Sequence, residues 1–265
     1  MKKIKMYQVD AFSDRLFSGN PAAVCILDKW LSDDLMQSIS FENNLAETAF
    51  VIPDGKNFKI RWFTPAVEVD LCGHATLASA FVLFNVLGYH EDIIRFQSQK
   101  SGVLYVEKKD DLLILNFPTD KLELSTKEES LGVENCIGTR VAELYKGRSD
   151  YLAVLENEST VKKIEPDFEK MLKLDARGLI VTAKGDNVDF VSRFFAPQCG
   201  INEDPVTGSA HTSLTPFWAS RLGKNKMIAH QLSRRGGKLV CELQNDRSLI
   251  GGKARLYLTG EIFTE

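Results

Sequence analysis

The chain is written twice, and that constrains its fold more than any other feature. Arg61-Trp62-Phe63-Thr64-Pro65 returns 132 residues later as Arg193-Phe194-Phe195-Ala196-Pro197. Gly73-His74-Ala75 meets Gly208-Ser209-Ala210 at an offset of 135, and Gln97-Ser98-Gln99-Lys100-Ser101-Gly102 is echoed 134 residues on by Gln231-Leu232-Ser233-Arg234-Arg235-Gly236. Weaker matches at an offset of 130 set Ala22-Ala23-Val24 and Phe50-Val51-Ile52 opposite Leu152-Ala153-Val154 and Ile180-Val181-Thr182. Short apolar strands resemble one another by chance, but markers that keep one order argue for a duplicated unit.

Within the first copy, Ile4–Val9, Ala22–Leu27, Thr48–Ile52, Lys59–Phe63, Ile94–Gln97, Val103–Glu107 and Leu112–Asn116 are short and rich in Val, Ile and Phe, which predicts strands. Ser32-Asp33-Asp34 caps a helix running to Phe41. Ala75–Leu87 is apolar on every face and stops at Gly88, so it is expected as a buried helix. The expected fold is α+β: two pseudo-repeated lobes, each a curved, mostly antiparallel sheet around a central helix. The lobes are expected at 1–118 and 119–265, with the extreme C-terminus returning to the N-terminal lobe. Hydrophilic Asp120–Asn135 is the linker candidate.

Composition narrows the partners. With 33 basic and 36 acidic side chains the net charge is −3, so neither nucleic acid nor an anionic membrane is an expected partner. Five cysteines without a CxxC pair, and an N-terminus without an apolar run, fit a reduced cytoplasmic protein. No stretch approaches the roughly 18 apolar residues of a membrane span.

The two helix starts carry the functional signal. A helix N-terminus offers unpaired N–H groups and a partial positive charge, and the glycines let a ligand approach the backbone, so a carboxylate is the natural guest of Gly73-His74 and Gly208-Ser209. Tight strand-to-helix turns would need the same glycines. Glu47, flanked by small and apolar residues, is either an acid/base group or an exposed charge at a strand start. Asp204 in Asn202-Glu203-Asp204-Pro205 is a functional acid or a turn residue ahead of proline. Glu42, Asp70 and Glu203 read as turn or surface charges. No HxxxH, CxxC or carboxylate–histidine cluster is visible around Cys72, His74 and His211, so no metal is expected. Neither nucleotide-loop pattern nor GxSxG is present.

Val9-Asp10-Ala11-Phe12, Phe17-Ser18-Gly19-Asn20-Pro21-Ala22-Ala23-Val24, Asn44-Leu45-Ala46-Glu47-Thr48-Ala49-Phe50, Leu71-Cys72-Gly73-His74-Ala75-Thr76 and Glu203-Asp204-Pro205-Val206-Thr207-Gly208-Ser209-Ala210-His211 together resemble the phenazine-biosynthesis PhzF-like proteins of the diaminopimelate epimerase fold. The resemblance covers essentially the whole chain. It implies an active-site cleft between the lobes, a homodimer, a small-molecule substrate and no cofactor. It implies further that Glu47 shuttles a proton between carbons of the substrate, with His74, Asp204 and Ser209 as its catalytic companions. Asn20, Gly73, Ala75, Thr207 and Gly208, from the same motifs, are expected to bind substrate.

Two other readings stay open. The same fold hosts epimerases that use two cysteines, and Cys72 stands where the first would be, but the second position is Thr207, which cannot supply a thiolate. A catalytically silent binding protein on this scaffold is the third.

Overall fold

The strands expected from β-branched and aromatic runs all form, and their pairing gives two units with one topology. The structure, a computed structural model, describes residues 2–265. One compact unit comprises the chain up to Asn116 together with Gly251–Glu265, and the other is Phe117–Ile250.

The first unit runs β1 (Lys2–Ala11), β2 (Asn20–Ile26), α1 (Asp33–Asn43), β3 (Glu47–Asp54), β4 (Asn57–Phe63), β5 (Glu68–Val69), α2 (Gly73–Phe81), β6 (Ile93–Ser98), β7 (Gly102–Lys109) and β8 (Leu112–Pro118). Pairs β1–β2, β3–β4, β6–β7 and β7–β8 are antiparallel, while β2–β3 and β4–β6 are parallel. The second unit repeats this order. It holds β9 (Glu123–Leu124), α3 (Lys127–Ile137), β10 (Glu143–Lys146), β11 (Asp150–Val154), α4 (Glu158–Lys163), α5 (Phe168–Met171), β12 (Gly178–Lys184), β13 (Phe190–Phe195), α6 (Ala210–Leu222), β14 (Lys226–Gln231), β15 (Gly237–Gln244) and β16 (Arg247–Gly252). Here β10–β11, β12–β13 and β14–β15 are antiparallel, and β11–β12 and β13–β14 parallel. The last strand, β17 (Ala254–Thr264), belongs to the first unit, where it pairs antiparallel with β1 along its length.

In each unit a helix fills the curl of the sheet. Helix α2 packs against β1, β2, β3, β7 and β17, and its residues from His74 to Ala80 are all buried. With no water available, its hydroxyls turn inward: Thr76 Oγ1 donates to the Cys72 carbonyl at 2.6 Å and Ser79 Oγ to that of Ala75 at 2.7 Å. The expected helix 75–87 closes through a π-helical turn over Val82–Val86, and its last two apolar residues, Val86 and Leu87, are exposed rather than buried. In α6, Trp218 stacks on Phe190 of β13 at 5.7 Å and donates Nε1–H to Thr182 of β12 at 2.9 Å. Pro216 deprives the Thr212 carbonyl of its helical donor, and the Asp120 N–H takes that place at 3.1 Å.

Other helices form a second layer. Met36 and Ile39 of α1 meet Cys25, Phe50 and Phe63, and α3, α4 and α5 supply Val133, Val161 and Met171 to a cluster with Leu179, Val181 and Phe195. The hydrophilic stretch 120–135 expected as a linker carries β9 and most of α3. The helix buries Val133, Cys136 and Ile137, and Thr126 and Glu129 make a capping box: Oγ1 of Thr126 accepts from Glu129 N at 3.2 Å, and Oε2 of Glu129 accepts from Thr126 N at 2.8 Å. Thr126→Ala is expected to cost about 1 kcal/mol, read as a lower urea midpoint with unchanged slope.

The markers of the repeat are structural clamps. Arg61 Nε and Nη2 grip Glu68 at 2.7 and 2.9 Å, with its guanidinium 5.1 Å over Phe63. Arg193 Nε and Nη2 grip Glu203 at 2.7 and 3.1 Å, 4.8 Å over Phe195. Glu203, expected as a turn or surface charge, is therefore the bidentate partner of a buried arginine. Its sequence neighbourhood of polar turn residues hid a partner ten positions away.

Candidate active site

In the first unit a buried polar cluster forms at the start of α2. Glu47 opens β3 and points its carboxylate at His74 in the first turn of the helix, Oε2 to Nε2 at 3.1 Å. The two side chains are only 12% and 6% exposed, and the approach is an ion-pair contact: neither atom makes a hydrogen bond of good geometry among the described residues. On the far side of the ring, Nδ1 of His74 lies 3.1 Å from Nδ2 of Asn20 and 3.5 Å from Sγ of Cys72. Asn20 can reach there because Gly19 turns the chain with φ +72°. A Cβ on that glycine would stand 2.1 Å from the Ala11 carbonyl oxygen, so no other residue fits.

Burial alone would push the His74 pKa down. The Glu47 carboxylate 3.1 Å away opposes that effect, and the ring's pKa stands well above the ordinary 6.5. Burial, followed by the Glu47 charge, pushes the Cys72 thiol up to about 11, so it is a neutral SH at physiological pH. The imidazolium–carboxylate pair follows a definite linkage. A histidine whose folded pKa exceeds its unfolded one contributes stability that is complete below the unfolded value and is lost as pH rises through the folded value. Urea titrations from pH about 6 upward should show the stability advantage of wild type over His74→Gln shrinking with increasing pH. A constant gap would leave His74 neutral.

The grouping Glu47, Cys72 and His74 also has donor atoms within 4.8 Å of one another, close enough to hold an ion. The sequence shows no carboxylate–histidine cluster because Glu47 lies 27 residues before His74, and only the fold joins them. Glu47 faces Nε2 while Cys72 faces Nδ1, and the thiol keeps its proton. One ion could not take a ring nitrogen shared by both ligands, so the arrangement suits proton holding better than metal ligation.

In the second unit the Glu203–His211 motif folds on itself. Thr207 Oγ1 donates to Asp204 Oδ2 at 2.6 Å, and the Thr207 N–H donates to Gln231 Oε1 at 2.8 Å. Gln231 Nε2 in turn donates to the Asp204 carbonyl at 2.9 Å. Ser209 stands at the start of α6 and caps nothing with its side chain. Its Oγ accepts from Arg177 Nη2 at 3.3 Å. His211 is fully buried, donates Nδ1–H to the Thr207 carbonyl at 2.8 Å, and burial lowers its pKa to about 4. It is a neutral structural ring.

Of the expected residues, Asn20, Glu47, Gly73, His74 and Ala75 converge within the first unit, and Asp204, Thr207, Gly208 and Ser209 form one turn within the second. Sequence reasoning missed Gln231 and Arg177. Gln231 was visible as the first residue of a repeat marker. Arg177 offered only a lone cation ahead of a largely apolar strand.

The model of the phenazine biosynthesis-like (PhzC-PhzF) family matches residues 9–262. The chain belongs to that family. An uncharacterised isomerase of Pseudomonas aeruginosa is 48% identical over 260 residues, covering 98% of this chain and 99% of the relative. A PhzF-family crystal structure from Enterococcus faecalis is likewise 48% identical, with a TM-score of 0.94 over 99% of this chain and 100% of the other. A hydroxyproline epimerase of Agrobacterium vitis, solved with trans-4-hydroxy-L-proline, is 10% identical with a TM-score of 0.59 over 98% and 92% of the two chains, a likeness of fold alone. The protein is thus a PhzF-like enzyme of the isomerase class, with the two-lobed α+β fold expected from the repeat. No helix among the described residues is long and apolar enough to cross a membrane.

Proposed function

We propose that the protein is a cofactor-independent isomerase that moves a proton between carbons of a small carboxylate-bearing molecule, with Glu47 as the acid/base group. The observation that carries this reading is the buried Glu47–His74 contact at 3.1 Å, with the ring held from its other side by Asn20. Glu47 as carboxylate takes a proton from one carbon, and as carboxylic acid returns it at another, so the group ends as it began. His74 Nε2, 3.1 Å from the carboxylate, fixes the position of Glu47, and the tightly held ring costs no reorganisation when the charge moves. Within the second unit Asp204 and Ser209 are proposed to hold polar groups of the substrate, and the backbone N–H groups at the helix starts, of Gly73 and Ala75 in one unit and Gly208 in the other, are proposed carboxylate donors, the Thr207 N–H being taken by Gln231. The enzyme is proposed to act as a cytoplasmic homodimer. Its five free cysteines suit a reducing compartment.

The repeat itself favours a single base. By the 132-residue marker Phe63 and Phe195 are mates, and they pair with Thr48 and Leu179, so Gly178 stands in β12 opposite Glu47 of β3; the 130-residue marker sets Arg177 there instead, and neither is an acid. The second half therefore has no mate for the acid. A two-cysteine epimerase is disfavoured because the second position is Thr207, which offers no thiol and whose hydroxyl is committed to Asp204.

The deciding experiment is deuterium incorporation from heavy water into a panel of cyclic and acyclic amino and hydroxy acids, followed by mass spectrometry for wild type and Glu47→Gln. Exchange that depends on Glu47 supports the isomerase. No exchange with any compound, alongside tight capture of a protein partner, would favour a silent binding protein.

A further inference from the structure

Arg177 directly precedes β12, and the fold spends several contacts on fixing its guanidinium. Nε and Nη2 donate to the two oxygens of Asp150 at 2.9 and 2.5 Å, and the Asp150 side chain is only 9% exposed. That buried carboxylate ties the arginine in a fork that leaves little freedom. The guanidinium lies 5.6 Å over the ring of Phe194. Phe194 reaches that position because residue 178 is glycine: a Cβ there would stand 2.5 Å from Phe194 Cζ. Nη2 also donates to Ser209 Oγ at 3.3 Å, at the first turn of α6.

Nη1, in contrast, has no hydrogen-bond partner among the described residues, and the arginine side chain remains 41% exposed although its anchor is buried. An arginine present only to neutralise Asp150 would need neither the aromatic platform nor the serine. A guanidinium held from one edge, with its other edge open beside a hydroxyl, matches the two oxygens of a carboxylate.

We propose that Arg177, together with Ser209, binds an anionic carboxylate group of the ligand, with Asp150 and Phe194 as positioning residues. The proposal rests on the small-carboxylate reading above and adds the residue that selects for charge. It also gives the two halves separate tasks. Where the first half carries Glu47 for proton transfer, the second carries Arg177 and Gly178 around the matching position.

The probes are para-fluorobenzoate and para-fluorobenzamide, alike in shape and different in charge, titrated against the full chain and read by fluorine NMR line broadening. Wild type should bind the benzoate more tightly than the amide, and Arg177→Gln should weaken the benzoate at least about tenfold while leaving the amide unchanged. Because Arg177→Gln strands a buried carboxylate, the double variant Asp150→Asn/Arg177→Gln provides a neutral, hydrogen-bonded pair; it should melt like wild type and still lose the benzoate. Glu47→Gln should keep benzoate affinity. If Arg177 variants lose the probe but no compound exchanges deuterium, the isomerase reading fails and the anion site stands. Equal binding of both probes to wild type, or undiminished benzoate binding by the folded double variant, overturns the proposal.

Discussion

Glu47→Gln is expected to lower proton exchange by about 10²–10⁴-fold, the usual share of a positioned general acid/base, while the protein keeps its melting temperature within a few degrees. Glutamine has the same shape and can still meet His74, but it cannot accept a proton from carbon. Without the carboxylate beside it, the buried ring of His74 loses one of the influences that raise its pKa. The pH dependence expected for the ion pair should therefore flatten in the same variant. Deuterium incorporation and a thermal melt on one preparation separate the two roles open to this side chain. Lost exchange with an intact melt marks an acid/base group. A protein that no longer folds marks a structural carboxylate, and unchanged exchange removes Glu47 from the chemistry.

Arg193→Met is expected to destabilise the protein by about 3–5 kcal/mol, the range for breaking a buried pair by removing one partner. The loss has two parts. Glu203 is left as a largely buried carboxylate, and the Ile164 and Val161 carbonyls, which accept from Nη1 at 2.8 and 3.2 Å, are left without that donor. Its mate Arg61 offers an internal comparison. Besides Glu68, Arg61 donates to Asp33, whose side chain is 75% exposed and returns to water when released. Arg61→Met should therefore cost less than Arg193→Met, although both arginines are similarly buried. Urea unfolding of the two variants reads the difference directly. Equal losses, or the reverse order, would mean that the carbonyl contacts carry no net stability. Because Glu203 adjoins Asp204, Arg193→Met should also loosen the turn that presents Ser209, whereas Arg61→Met should not.

How much was legible in advance differs between fold and site. The strands could be read because β-branched and aromatic residues mark a pleated, half-buried surface over a few consecutive positions. The central helices could be read because Ala75–Leu87 is apolar all round. Helix α1 began where Ser32 caps it, its side chain accepting from Leu35 N. The linker reading of 120–135 gave way to α3 because a string of charges also describes the solvent face of a capped helix. The signal for that, Thr126 followed by Glu129, was present in the sequence.

The sequence by itself determined the duplicated α+β architecture and the family, since repeat markers and contiguous motifs are local strings that survive without coordinates. It also put Glu47, His74, Asp204 and Ser209 on the short list. Only the tertiary structure decided which of these touch: the 3.1 Å approach of Glu47 to His74 joins β3 to α2, and Asn20 reaches the same ring from β2. It alone revealed Arg177, held by an aspartate 27 residues earlier and aimed at a serine 32 residues later. Electrostatic and hydrogen-bond partners act through space over a few ångströms, and the pleat that sets those distances pairs residues far apart in the chain. Local composition records which surfaces are apolar; it does not record which polar groups those surfaces bring together.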